Sequence, residues 1–349
     1  TPYSIYVSSE SGDIVTRITL PGAIFLTFIA LLPIWLADLF SVPFQFGGTL
    51  HYYWLAHFLS AVEYRILGPW GLTIEEVTLA NSLAYGVAFI AFLYGFVRAF
   101  GATAGAAAAA CALVFLANSY EALDRLVVWW NDGAIIPLLG QINVDAVTRW
   151  FYSAMPVDGL HRMLLYQPHH LGGYAIGLSA LLIISRTTDV ARPMVALTTG
   201  SFLALSLLLT SFEAIIIGVA VSIVYAVRLL APPRWKAIPL CAILGAAPVV
   251  AAFEASKALA YVDPAATTLV LFGPNPVALM HWPYAMLLSF GPMLILGVIG
   301  GIAAIIGRRR ETLPIAVLAT VALGFYFLTD VPDMQHVWVG WRAGHLLFV

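Results

Sequence analysis

Stretches of about 20 mostly apolar residues recur along almost the whole chain, and a stretch of that length can satisfy its own backbone away from water only as a helix. The runs lie near 20–40, 50–67, 77–98, 102–118, 168–186, 193–211, 213–230, 236–256, 283–306 and 313–329, with another start at 335–349. Of 349 residues 61% are hydrophobic and 10% charged, whereas soluble domains carry about 25% charge. Mean hydropathy is +0.92. These numbers exclude a soluble globular domain, a disordered chain and a disulfide scaffold. A net charge of −2 offers no field for a nucleic acid. The expected fold is all-α, a polytopic transmembrane bundle of about 9–11 helices. Cys111 and Cys241 sit inside apolar runs and read as small buried hydrophobes.

The first two runs are the weakest spans. Pro21, Pro33 and Asp38 interrupt the first, and His51, His57, Glu63 and Arg65 the second, so either could lie in the interface. From 194 to 230 the apolar stretch is too long for one crossing, and Ser211 with Glu213 is expected to break it by capping a second helix. Thr1 follows no signal-peptide pattern, and Val349 lies within an apolar run. The expectation is a single membrane domain over 1–349, cut at both ends.

Basic residues mark cytoplasmic loops. One alternation of the runs places Arg98, Arg186, Arg192, Arg228, Arg234, Lys236 and Arg308 to Arg310 together, accompanied only by Asp189 and Glu311. The other acids, and all eight histidines, fall at the opposite face or in the doubtful first runs. Any chemistry is therefore expected outside the cytoplasm, on the segments 1–19, 119–167, 257–282 and 330–335. The loop 119–167 is long enough to fold over that face, and a solvated cap explains most of its charges.

Three constellations stand out. Tyr53, His57, Ser60 and Tyr64 follow helical spacing and form one polar and aromatic stripe, lining a cavity or an interfacial belt. Pro168 suits the first position of a helix, which puts His169 and His170 beside backbone N–H groups that no helical carbonyl reaches. Such a start attracts phosphate, although an interfacial anchor or a metal site fits the same residues. Trp338, Arg342 and His345 share one helical face, and an arginine inside an apolar helix faces a polar cavity or pairs with an acid such as Glu213 or Asp330. No Walker loop, dinucleotide glycine pattern, zinc-protease motif or paired Cys-x-x-Cys occurs.

An acid in an outer N-terminal segment, the run Leu50 to Leu55 with its Tyr52-Tyr53-Trp54, the Tyr166-Gln167-Pro168-His169-His170 segment before a Gly-rich helix, and a late Trp- and Arg-bearing helix occur in that order. This arrangement resembles the GT-C type integral membrane glycosyltransferases, in particular prokaryotic members with a Tyr-Tyr-rich first-loop motif. The resemblance implies transfer of a sugar from a polyprenyl-phosphate donor to an acceptor at the extracytoplasmic face of the cytoplasmic membrane. It implies Asp13 as the catalytic carboxylate, acting as base or positioning the acceptor, and many members carry a second acid next to the first or in a following loop, where this chain has Gly12 and Ile14 beside Asp13. His169, His170, Arg342 and His345 would hold the donor phosphate, and Tyr53, His57 and Trp338 would line the substrate cavity. No cofactor is expected, with a divalent cation left open. The partners implied are the lipid-linked sugar, membrane lipid and other membrane subunits, without nucleic acid. The competing expectation is a non-catalytic membrane subunit or a transporter that binds a partner or lipid at its outer face.

Overall fold

The computed structural model describes residues 41–42, 48–49, 54–116, 127–134, 157, 159–160, 163, 167–259, 271–280, 282–307, 312–330 and 338–348. The fold is all-α. The strands among the described residues are two-residue pieces, β1 (Ser41–Val42) with β2 (Gly48–Thr49) and β3 (Leu271–Phe272) with β4 (Thr329–Asp330), each pair antiparallel. Helices Ile74–Ala99 and Ser211–Leu229 and the segment Arg234–Ala255 are long and apolar enough to cross a membrane. The chain divides into two compact units, Thr1–Phe92 with Met163–Thr267 and Leu93–Arg162 with Thr268–Val349.

The first unit holds α1 (Trp54–Leu67), most of α2 (Ile74–Ala99), α4 (Pro168–Arg186), α5 (Pro193–Leu209), α6 (Ser211–Leu229) and α7 (Ile238–Leu259), while α3 (Ala104–Leu116) belongs to the second. A capping box starts α2: Glu76 N–H donates to Thr73 Oγ1 and Thr73 N–H to Glu76 Oε2, at 3.2 and 2.8 Å. Its apolar residues Leu79, Leu83, Val87 and Ile90 are exposed at helical spacing, whereas Asn81 and Ser82 are buried. That inversion suits a helix with lipid on one side and polar contacts on the other.

The long apolar stretch is broken as expected, one residue earlier than Ser211. Thr210 takes an extended backbone (φ −157°, ψ 110°) between α5 and α6, makes no side-chain cap bond, and leaves Ser211 as the first residue of α6. Close packing between α5 and α7 follows from small residues. A Cβ on Gly200 would collide with the backbone carbonyl oxygen of Gly245, while one on Gly245 would meet Ala196 O at an ordinary 3.6 Å. The α1 side chains Leu55 and Val62 cover Ala204, Leu208 and Ala252 on the same pair of helices.

In the second unit, Thr103 caps α3 by accepting from Ala106 N–H at 3.2 Å. The apolar run 283–306 becomes two helices, α9 (Tyr284–Phe290) and α10 (Pro292–Ile306), after the short α8 (Pro276–Met280). Gly291 between them has φ +46°, a left-handed value that a side chain disfavours, and Pro292 starts a helix readily. Next come α11 (Leu313–Leu328) and α12 (Trp338–His345). The turn Gly273 to Asn275 is clipped to the end of α11: Asn275 Nδ2 donates to Thr329 O and its backbone N–H to Phe327 O, both at 2.8 Å. Its Oδ1 accepts from Val277 and Ala278 N–H, so one side chain also caps α8.

Candidate functional site

Asp13 and Tyr53 lie outside the described residues, as do the side chains of His57, on α1, and Trp338, the first residue of α12. The other expected site residues fall into two groups, His169 and His170 in the first unit and Arg342 and His345 in the second.

His169 and His170 occupy the first turn of α4 directly after Pro168, where the sequence places them, and both are buried. Gln167 precedes the helix without a side-chain cap bond, and His170 N–H donates to Gln167 O at 3.0 Å. The two imidazoles have centroids 4.3 Å apart. His170 Nδ1 sits 2.6 Å from Glu213 Oε1, with both side chains fully buried. Glu213 is itself in the first turn of α6, so a carboxylate and an imidazole meet where two helices begin.

Two contacts fix that geometry. At the far end of the same helices, the Arg228 guanidinium donates to Ile184 O and, at 2.8 Å, to Thr187 O. His170 and Ile184 are separated by about 21 Å at 1.5 Å per residue, so start-to-start and end-to-end contacts make α4 and α6 parallel neighbours. Both positive helix-dipole ends then point to the Glu213 carboxylate, a favourable place for an acid. Ser206 Oγ donates to Gly173 O at 2.9 Å, tying α5 to the second turn of α4.

Glycines explain how neighbours come so close. A Cβ on Gly172 would lie 2.7 Å from the Tyr85 ring, one on Gly173 would strike Thr210 Oγ1, and one on Gly177 would lie 2.8 Å from Ile217. The Gly-rich start of α4 is therefore a seat for Tyr85 and Thr210. Thr210 Oγ1 is buried and finds no hydrogen-bond partner among the described residues. One turn from Tyr85 along α2, Asn81 Nδ2 donates to Ser60 Oγ at 3.1 Å and to Glu63 Oε2 at 2.6 Å. Of the stripe on α1, Ser60 thus turns to a protein partner, and the Tyr64 ring lies over Gly68.

In the second unit, Arg342 and His345 lie three residues apart on α12 and are buried, beside the buried Val339 and Ala343. Gly344 faces Val157, where a Cβ would clash, and Val157 N–H donates to Ser289 Oγ at 3.0 Å. Val157, within the loop 119–167, is thereby tied to α9 and packed against α12.

The sequence offers Glu213 as a partner of Arg342 or as a helix breaker; in the structure its Oε1 meets His170. Parity could have found that pair, because consecutive helices α4, α5 and α6 return alternately, bringing the starts of α4 and α6 to one face. Tyr85 and Thr210 carried no such signal. Among the described residues no cluster of three His, Cys, Asp or Glu side chains is set to bind a metal.

No family profile matches the chain, and no solved structure does. Over 36 residues it is 53% identical to the protein translocase subunit SecY of Escherichia coli, in strain K12 and in O157:H7. That stretch is 10% of this chain and 8% of the relative, so the chain spans a small fraction of the curated protein it matches.

Proposed function

We propose that the chain is a GT-C-like membrane glycosyltransferase that moves a sugar from a polyprenyl-phosphate donor to an acceptor at the extracytoplasmic face of the cytoplasmic membrane. The observation that carries the reading is the His170–Glu213 pair at the joint start of α4 and α6. Short shared sequence with a translocase subunit covers too little to bring that protein's activity across.

In the transfer, a bond forms from the acceptor oxygen to the sugar C1 as the bond from C1 to the phosphate oxygen breaks. The acceptor proton passes to a base, which is Asp13 in this proposal, and the electron pair stays on the departing polyprenyl phosphate. Charge growing on that phosphate calls for donors already in place. The α4 start carries the positive end of its helix dipole, and the His169 and His170 imidazoles add to it. Glu213 aligns the His170 ring through Nδ1 and balances its charge when both nitrogens carry protons. Basic residues gather at the other end of α4 and α6, and by the charge rule that end is cytoplasmic.

The test is turnover in proteoliposomes with radiolabelled polyprenyl-phosphate sugars, scored as label transferred to an acceptor and polyprenyl phosphate released. Transfer by the native chain, lost in Asp13→Asn and His170→Ala, is expected. Native-like turnover in both variants, or no transfer from any polyprenyl-phosphate sugar, sinks the proposal.

A further inference from the structure

The first unit ends, opposite the histidines, in a cluster of cations that glycosyl transfer does not use. Arg186 closes α4, Arg192 precedes α5, Arg228 lies in the last turn of α6, and Arg234 and Lys236 sit in the 3₁₀ turn Arg234–Ala237 before α7. Arg228 is turned inward onto the carbonyls of Ile184 and Thr187. Arg234 Nη2 donates to Thr188 O at 3.1 Å, which straps the α6–α7 turn to the α4–α5 loop. That contact brings Arg234, with Lys236 two residues further on, to the α4–α5 loop that carries Arg192. The acid there is Asp189, 3.2 Å from Arg192 Nε.

Around these cations the surface is apolar. Trp235 is 53% exposed beside Lys236, whose Nζ lies 6.0 Å from the indole centroid, and Met194, Leu230 and Leu240 are at least half exposed. Apolar residues displayed next to cations at the end of spanning helices, with an indole at the junction, match the membrane boundary, where the acyl chain and the headgroup of one lipid meet.

We propose that this surface is a binding site for an anionic phospholipid, its phosphodiester held by Arg192, Arg234 and Lys236 and its acyl chains lying on Met194, Leu230, Trp235 and Leu240. Charge complementarity selects an anionic headgroup over a zwitterionic one, and the adjoining apolar residues select a lipid over free phosphate. The site is independent of the glycosyltransferase reading.

Native mass spectrometry of the full chain released from micelles tests it, titrating phosphatidylglycerol or phosphatidylcholine and counting retained lipid. Native protein should prefer phosphatidylglycerol by about tenfold or more. Each cation removed, in Arg192→Gln and Lys236→Gln, should weaken that binding roughly fivefold and leave phosphatidylcholine unchanged. Both side chains are exposed, so the variants keep the fold, and retained melting in micelles verifies this. Arg65→Gln, an exposed cation on α1, should change nothing. Equal retention of the two lipids, unchanged binding in both variants, an equal loss in Arg65→Gln, or displacement of phosphatidylglycerol by millimolar inorganic phosphate each overturns the assignment.

Discussion

His170 Nδ1 meets Glu213 Oε1 at 2.6 Å with no solvent exposure on either side chain, joining two helices at their first turns although 43 positions separate the residues. A pair taken this far from water is costly to break from one side. Removing one partner strands the other in a low-dielectric site, at a cost of about 3–5 kcal/mol. Glu213→Leu and His170→Leu are each expected to lower thermal stability in detergent by an amount of that order. The double variant should lose less than the sum, a coupling that a double-mutant cycle reads directly. Additive losses would show that the pair does not act as a unit.

Gly173→Ala tests the seat of Thr210. The new methyl group meets the Thr210 hydroxyl, and overpacking of this kind costs about 1–3 kcal/mol. Thr210→Ala removes the atoms in the way, leaving its own Cβ at a tight but tolerable 3.3 Å. Melting temperatures should fall for Gly173→Ala and recover in the double variant.

Two glycines at the α5–α7 crossing should respond unequally. Gly200→Ala drives a methyl group into the backbone at Gly245, where no side chain can move aside, whereas Gly245→Ala makes an ordinary contact. The first substitution is expected to melt well below the native chain and the second close to it, as measured by thermal unfolding in micelles. Equal shifts would contradict this packing.

Asn275 is expected to control the turn beside α11. Asn275→Ala removes the Nδ2 bond to Thr329 O and the Oδ1 cap on α8 together. Loss of such a cap costs about 0.5–2 kcal/mol. Hydrogen exchange at Val277 and Ala278 should quicken in the variant, while α5 amides keep their native rates.

Much of this fold could be read from hydropathy. The runs 77–98, 168–186, 236–256 and 313–329 each became a helix with ends displaced by a few residues, because the hydrocarbon thickness sets their length. Exact breaks were less legible. Thr210 rather than Ser211 ends the α5 stretch, and Gly291 splits a run that has apolar length enough for one crossing. Local chemistry marked the α4 start, since Pro168 is suited to that position whatever surrounds it. The partners of that start came from tertiary packing: Glu213 depends on how α5 returns, and Tyr85 and Thr210 enter because Gly172 and Gly173 leave room. Ser60 and Tyr64 had the spacing of a cavity stripe, yet Ser60 is taken by Asn81 from a helix that the spacing could not reveal.

The claim that the α4 start holds a lipid-linked phosphate is tested most directly by photocrosslinking. A polyprenyl phosphate carrying a diazirine close to its headgroup is reconstituted with the native chain, irradiated, and mapped by peptide mass spectrometry. The account predicts label within 167–173, displaced by excess unmodified polyprenyl phosphate and reduced at least tenfold in a folded His170→Ala variant. Label confined to peptides elsewhere, with native yield in His170→Ala, would contradict it.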